Sequence, residues 1–117
     1  PFFVGYPDER GEGAGEGFNL NVALPGGTSD AVYLAEFDRV MKAVRSFSPG
    51  ILIISLGLDA HEADKLGIFK LTNSGFEEIA RRIRDLQLPT VLVQEGGYTI
   101  SVIGSTLKAF LGVFDKD

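Results

Sequence analysis

The sequence predicts an α/β fold built on a mainly parallel, doubly wound sheet with helices on both faces. Two observations point there. Residues 51–56 (ILIISL) and 90–94 (TVLVQ) are nearly uninterrupted apolar or β-branched runs, the pattern of strands buried on both sides. Between and after them, apolar residues recur at helical spacing, giving the alternation of strand and helix that a parallel sheet requires.

The elements follow in order. Glycine occupies every second position at Gly11, Gly13, Gly15 and Gly17, so this stretch is expected to be a loop with unusual backbone dihedrals. Residues 18–24 (FNLNVAL) read as a short strand ended by Pro25-Gly26-Gly27. Thr28, Ser29 and Asp30 are helix-starting residues, and Tyr33, Phe37, Val40, Met41, Val44 and Phe47 form one stripe until Ser48-Pro49-Gly50 stops it. After the strand at 51–56, residues 57–71 are expected to form a loop. Thr72 then caps a helix carrying Phe76, Ile79, Ala80, Ile83 and Leu86. Pro89 precedes the strand at 90–94, and the last helix carries Ile100, Ile103, Leu107, Phe110, Leu111 and Phe114. No repeat or flexible linker interrupts this order.

Composition narrows the function classes. The 117 residues allow one domain, and 44% hydrophobic with 23% charged residues is a globular balance. With no Cys, neither a disulfide framework nor a thiolate metal site exists. No apolar run reaches the roughly 18 residues that span a bilayer, so a cytoplasmic protein without a membrane role is expected. The net charge of −5 argues against a nucleic-acid backbone as direct ligand and is compatible with a cationic substrate. The chain opens at Pro1 without Met and reads as the middle of a domain, so a fragment is expected.

In an open parallel sheet, ligands collect at the carboxyl ends of the strands. Gly57-Leu58-Asp59-Ala60-His61 and Glu95-Gly96-Gly97-Tyr98 occupy those positions. Asp59 reads either as a metal ligand or general base, or as a cap of the loop's own amides. His61, the single histidine, reads as a solvent-facing or hydrogen-bonded structural residue more readily than as a ligand. Glu62 and Asp64 read as a solvated loop face. Tyr98, after two glycines, reads either as a phenol that donates to a developing oxyanion or as a ring packed on the last helix. The glycine loop is not a dinucleotide fingerprint: a strand is expected after it instead of before it, and Glu12 and Glu16 would repel a pyrophosphate.

Three segments, GEGAGEGFNLNVALPGGT, SLGLDAH and EGGY, in this order and at these intervals, resemble the C-terminal part of the zinc-dependent deacetylase superfamily, whose fold is arginase/deacetylase-like. GEGFNLNV and the Asp-Ala-His are similar to class II histone deacetylases; PFFVGY and EADKLGIFKLT are more similar to acetylpolyamine amidohydrolases. The resemblance implies amide hydrolysis of an acetylated amine, acetylpolyamine or acetyl-lysine, in which zinc polarises the carbonyl and activates water. By position it implies that Asp59 is a zinc ligand and that Tyr98 stabilises the tetrahedral intermediate. Leu66 would wall the acyl channel, with Phe3 near its aromatic lining. Ala63-Asp64-Lys65 departs from the Gly-Asp-Pro common in class II members.

The resemblance also implies that two further zinc ligands and the general-base histidines lie upstream of Pro1. An isolated chain is then expected to be inactive, without stoichiometric zinc, and to self-associate as a homo-oligomer or pair with the missing N-terminal half. The alternative is a non-catalytic α/β association module that retains the fold. An arginase-like dimanganese site ranks below both, because no Asp-x-Asp pair follows the strand ending at Leu56.

Overall fold

A computed structural model describes residues 4–115. After a 3-10 turn at Gly13–Gly15 come α1 (Asp30–Phe47), β1 (Leu52–Leu56), α2 (Asn73–Arg84), β2 (Thr90–Gln94) and α3 (Ile100–Leu111). β1 and β2 pair in parallel, with Leu52 opposite Thr90 and Leu56 opposite Gln94. α2 is the crossover between them, as a parallel pair demands.

Local chemistry explains the helix limits. Ser48 adopts the left-handed conformation (φ 55°) and its N–H donates to the carbonyls of Val44 and Arg45, closing α1 just ahead of Pro49. Thr72 caps α2, its hydroxyl oxygen accepting from the Gly75 N–H at 3.2 Å. The Asp30 carboxylate at the start of α1 accepts from the Thr72 N–H at 2.9 Å and its hydroxyl at 2.6 Å, so the starts of α1 and α2 are tied together.

The core lies on one face of the sheet. Phe76, Ile79, Ala80 and Ile83 of α2, Phe110 of α3 and the nearby Val113 are buried with Leu56, Leu58 and Leu71. Tyr33, Leu34 and Phe37 of α1 pack against this cluster, as do Leu52, Ile54 and Leu92 from the strands. Removing a side chain of this size from water contributes about 1.5–3 kcal/mol. All three helices therefore belong to one layer.

Alternate strand residues point the other way. Ile53 is 74% exposed, and Val91 and Val93 are exposed beside it. Among the described residues nothing covers this apolar face, which is where the second layer of a doubly wound sheet would lie.

The expected strand at 18–24 does not form. Among the described residues the only paired segments are β1 with β2 and the single bridges Ser29–Lys70 and His61–Leu71. A strand is stabilised by a neighbouring strand, and 18–24 has none here; Phe18 and Leu20 are exposed. Its asparagines bond within the preceding loop instead: the Asn19 amide donates to the Glu9 carbonyl at 2.6 Å and the Asn21 amide to the Tyr6 carbonyl at 2.8 Å. Among the described residues no helix is long and apolar enough to cross a membrane.

Candidate functional site

The strands keep pairing past their carboxyl ends. The Glu95 N–H donates to the Leu56 carbonyl at 2.9 Å, and the Leu58 N–H to the Gly96 carbonyl at 2.8 Å. These bonds hold the 57–61 loop beside the Glu95-Gly96-Gly97-Tyr98 turn, so the two polar stretches share one edge of the sheet, as the sequence predicts.

Asp59 sits between glycines. A Cβ on Gly96 would fall 2.3 Å from Asp59 Oδ2, and one on Gly57 2.7 Å from Oδ1. A Cβ on Gly67 would fall 1.8 Å from the Asp59 carbonyl oxygen. Only hydrogen in place of a side chain leaves room for the carboxylate there. Asp59 is partly buried, and its carboxylate accepts no hydrogen bond among the described residues. The reading of Asp59 as a cap of its own loop's amides is therefore not realised.

Tyr98 lies two residues beyond Gly96. Gly97 turns the chain at φ 143°, where a Cβ would also crowd Leu58 at 3.2 Å. The Tyr98 side chain is 46% exposed and is not among those packed on the buried core cluster. Leu66 is exposed on the neighbouring loop. Phe3 lies outside the described residues.

Asp64 corrects the expectation of a solvated loop face. It is buried, and its carboxylate accepts four backbone N–H groups: Leu66 at 2.9 Å and Gly67 at 3.0 Å on Oδ1, Tyr98 at 2.7 Å and Thr99 at 3.2 Å on Oδ2. Burial alone pushes its carboxyl up, but the four N–H donors outweigh this and hold it below the ordinary carboxylate value. The local half of this pattern, an Asp accepting from amides two and three residues on, is a turn signature readable from Asp64-Lys65-Leu66-Gly67. The bonds to Tyr98 and Thr99 had no sequence signal.

His61 is the hydrogen-bonded structural residue of the two expected alternatives and not the solvent-facing one. It is buried, its Nδ1 accepts from the Ala63 N–H at 3.1 Å, and its ring stacks on Phe76 at 6.4 Å between centroids. Glu62 is exposed.

Among the described residues no three His, Cys, Asp or Glu side chains are gathered so that they could hold a metal ion. A catalytic metal needs about three protein ligands. Asp59, with both oxygens uncommitted, fits as one ligand of such a set; the described residues do not complete it.

The model for the histone deacetylase domain matches residues 1–114. The chain belongs to this family. It is 39% identical over 114 residues to the acetylpolyamine amidohydrolase of Burkholderia pseudomallei, covering 97% of this chain and 33% of that protein. It is 40% identical over 104 residues to acetylpolyamine amidohydrolase 1 of Pseudomonas aeruginosa, covering 89% of this chain and 30% of that one. A crystal structure of the Burkholderia pseudomallei acetylpolyamine aminohydrolase superposes with a TM-score of 0.93 at 38% identity, over 97% of this chain and 33% of the other. This histone deacetylase family chain thus spans about a third of the length of those relatives, and its one-layered sheet matches part of their larger fold.

Proposed function

We propose that residues 1–117 are the C-terminal part of a single catalytic domain, in a cytoplasmic zinc-dependent amide hydrolase that removes acetyl groups from acetylated amines. The substrate class is acetylpolyamine or acetyl-lysine, the former favoured by the names of the relatives above. One observation carries this reading: Asp59, a partly buried carboxylate that accepts no hydrogen bond among the described residues, lies against Gly96, two residues from the half-exposed phenol of Tyr98.

Asp59 is assigned as one zinc ligand, and the remaining ligands and the general-base histidines to a segment upstream of this chain. The metal, when bound, supplies carbonyl polarisation and an activated water. Tyr98 donates its hydroxyl proton in a hydrogen bond to the carbonyl oxygen as negative charge grows there, an interaction stronger in the transition state than in the ground state. Leu66, and Phe3 by its place in the sequence alone, are assigned to the apolar wall of the acyl path, where apolar groups exclude water. The chain by itself is assigned no turnover and no stoichiometric zinc.

Turnover of an acetylated polyamine and an acetyl-lysine peptide by the intact protein tests this. Replacing Tyr98 with Phe removes one oxyanion donor and is expected to lower kcat by about 100- to 1,000-fold while zinc stays bound. A Tyr98→Phe protein with undiminished turnover refutes the role.

The bare face formed by Ile53, Val91 and Val93 favours a second reading, a non-catalytic module that works by association, as a homo-oligomer or with another chain. It predicts a stable assembly with no metal and no hydrolysis by the intact protein, which elemental analysis and light scattering distinguish.

A further inference from the structure

Asp64 is the one buried carboxylate among the described residues, and its two oxygens serve different segments. Oδ1 takes the N–H groups of Leu66 and Gly67, two and three residues away. Oδ2 takes those of Tyr98 and Thr99, 34 and 35 residues away, across the gap between the two loops. A third bond joins the same two segments, from the Lys65 N–H to the Thr99 hydroxyl oxygen at 3.0 Å. With four donors on two oxygens, Asp64 has no free acceptor with which to bind a metal.

Tyr98 has few other restraints. Its ring is half-exposed, the residue before it is a glycine at φ 143°, and the residue after it is the N-cap of α3 without a side-chain capping bond. We infer that Asp64 is a positioning residue for Tyr98: through the backbone N–H groups of Tyr98 and Thr99 it sets where the phenol stands relative to the carbonyl presented beside Asp59. This rests on the hydrolase reading above. Asp64 touches no reacting atom. Its effect is geometric, because an oxyanion donor works only within hydrogen-bond range, and a displacement of about 1 Å can lower turnover about 100-fold.

Asparagine has the same shape but only one accepting oxygen, so Asp64→Asn sets an NH2 group against one of the two donor pairs. Steady-state kinetics of the intact protein on an acetyl-lysine peptide would compare the parent, Asp64→Asn, Tyr98→Phe and the double variant. Asp64→Asn is expected to lower kcat about 10- to 100-fold, with KM far less affected. In the Tyr98→Phe background the same substitution is expected to change kcat little, since the hydroxyl it positions is gone. Equal fold losses in both backgrounds would make Asp64 merely structural and overturn the inference. Full activity of Tyr98→Phe would overturn the hydrolase reading itself, a separate outcome.

Circular dichroism checks that each variant folds. Should Asp64→Asn fail to fold, Thr99→Val removes only the Lys65–Thr99 bond and costs no capping interaction. A smaller kcat loss that disappears in the Tyr98→Phe background supports the inference. A loss of the same size in both backgrounds, or no loss in either, contradicts it.

Discussion

The loop after β1 holds two aspartates, five positions apart, in opposite circumstances. Asp64 is buried and saturated by four N–H donors, two of them from the other loop. Asp59 is partly buried, boxed in by Gly57 and Gly96, and accepts no hydrogen bond among the described residues. Asp64 stabilises the architecture of the edge, whereas Asp59 is kept available. Within one short loop, hydrogen-bond saturation separates an anchoring carboxylate from one that accepts no donor among the described residues.

The largest effect that would sharpen this contrast comes from crowding Asp59 without touching Asp64. In Gly96→Ala the new methyl would fall 2.3 Å from Asp59 Oδ2, so the carboxylate must move. Zinc affinity of the intact protein is expected to drop about 10- to 100-fold, the range seen when the groups that orient a metal ligand are disturbed. Unchanged affinity in a zinc-buffer titration would mean that the placement of Asp59 is immaterial.

A smaller effect is expected on stability. In metal-free protein, Asp64→Ala strands four N–H donors and should lower the melting temperature, whereas Asp59→Ala removes an unpartnered charge and should leave it unchanged or raise it. Similar shifts for both substitutions would erase the distinction.

The smallest is a pH effect. The Asp64 carboxyl is held below its ordinary value in the folded protein, so its contribution is present above the unfolded-state value and is lost as pH falls through the lowered, folded one. In that acid window the parent should lose stability more steeply than Asp64→Asn, which has no proton to take up. Parallel pH–stability curves would contradict the assignment.

Much of the fold was legible because its signals are local. Of the stripe Phe76, Ile79, Ala80, Ile83 and Leu86, the first four are buried as their spacing predicts while Leu86 lies past the end of α2; Thr72 caps α2, and Ser48-Pro49 ends α1. Both apolar runs are strands, paired in parallel. The segment 18–24 failed because a strand depends on a partner that its own residues do not specify. At the site, Asp59 and Tyr98 could be placed on one edge because both follow strands. Asp64 is not legible in this way: a charged residue in a polar loop reads as solvated, and two of the donors that saturate it come from Tyr98 and Thr99, far along the chain.

Zinc bound per chain in the intact Asp59→Ala protein, measured by equilibrium dialysis, decides whether the Asp59 carboxylate holds the metal. Stoichiometric binding is expected to be lost while the circular dichroism spectrum matches the parent. A folded variant that still retains one zinc per chain at the parent's affinity would contradict it.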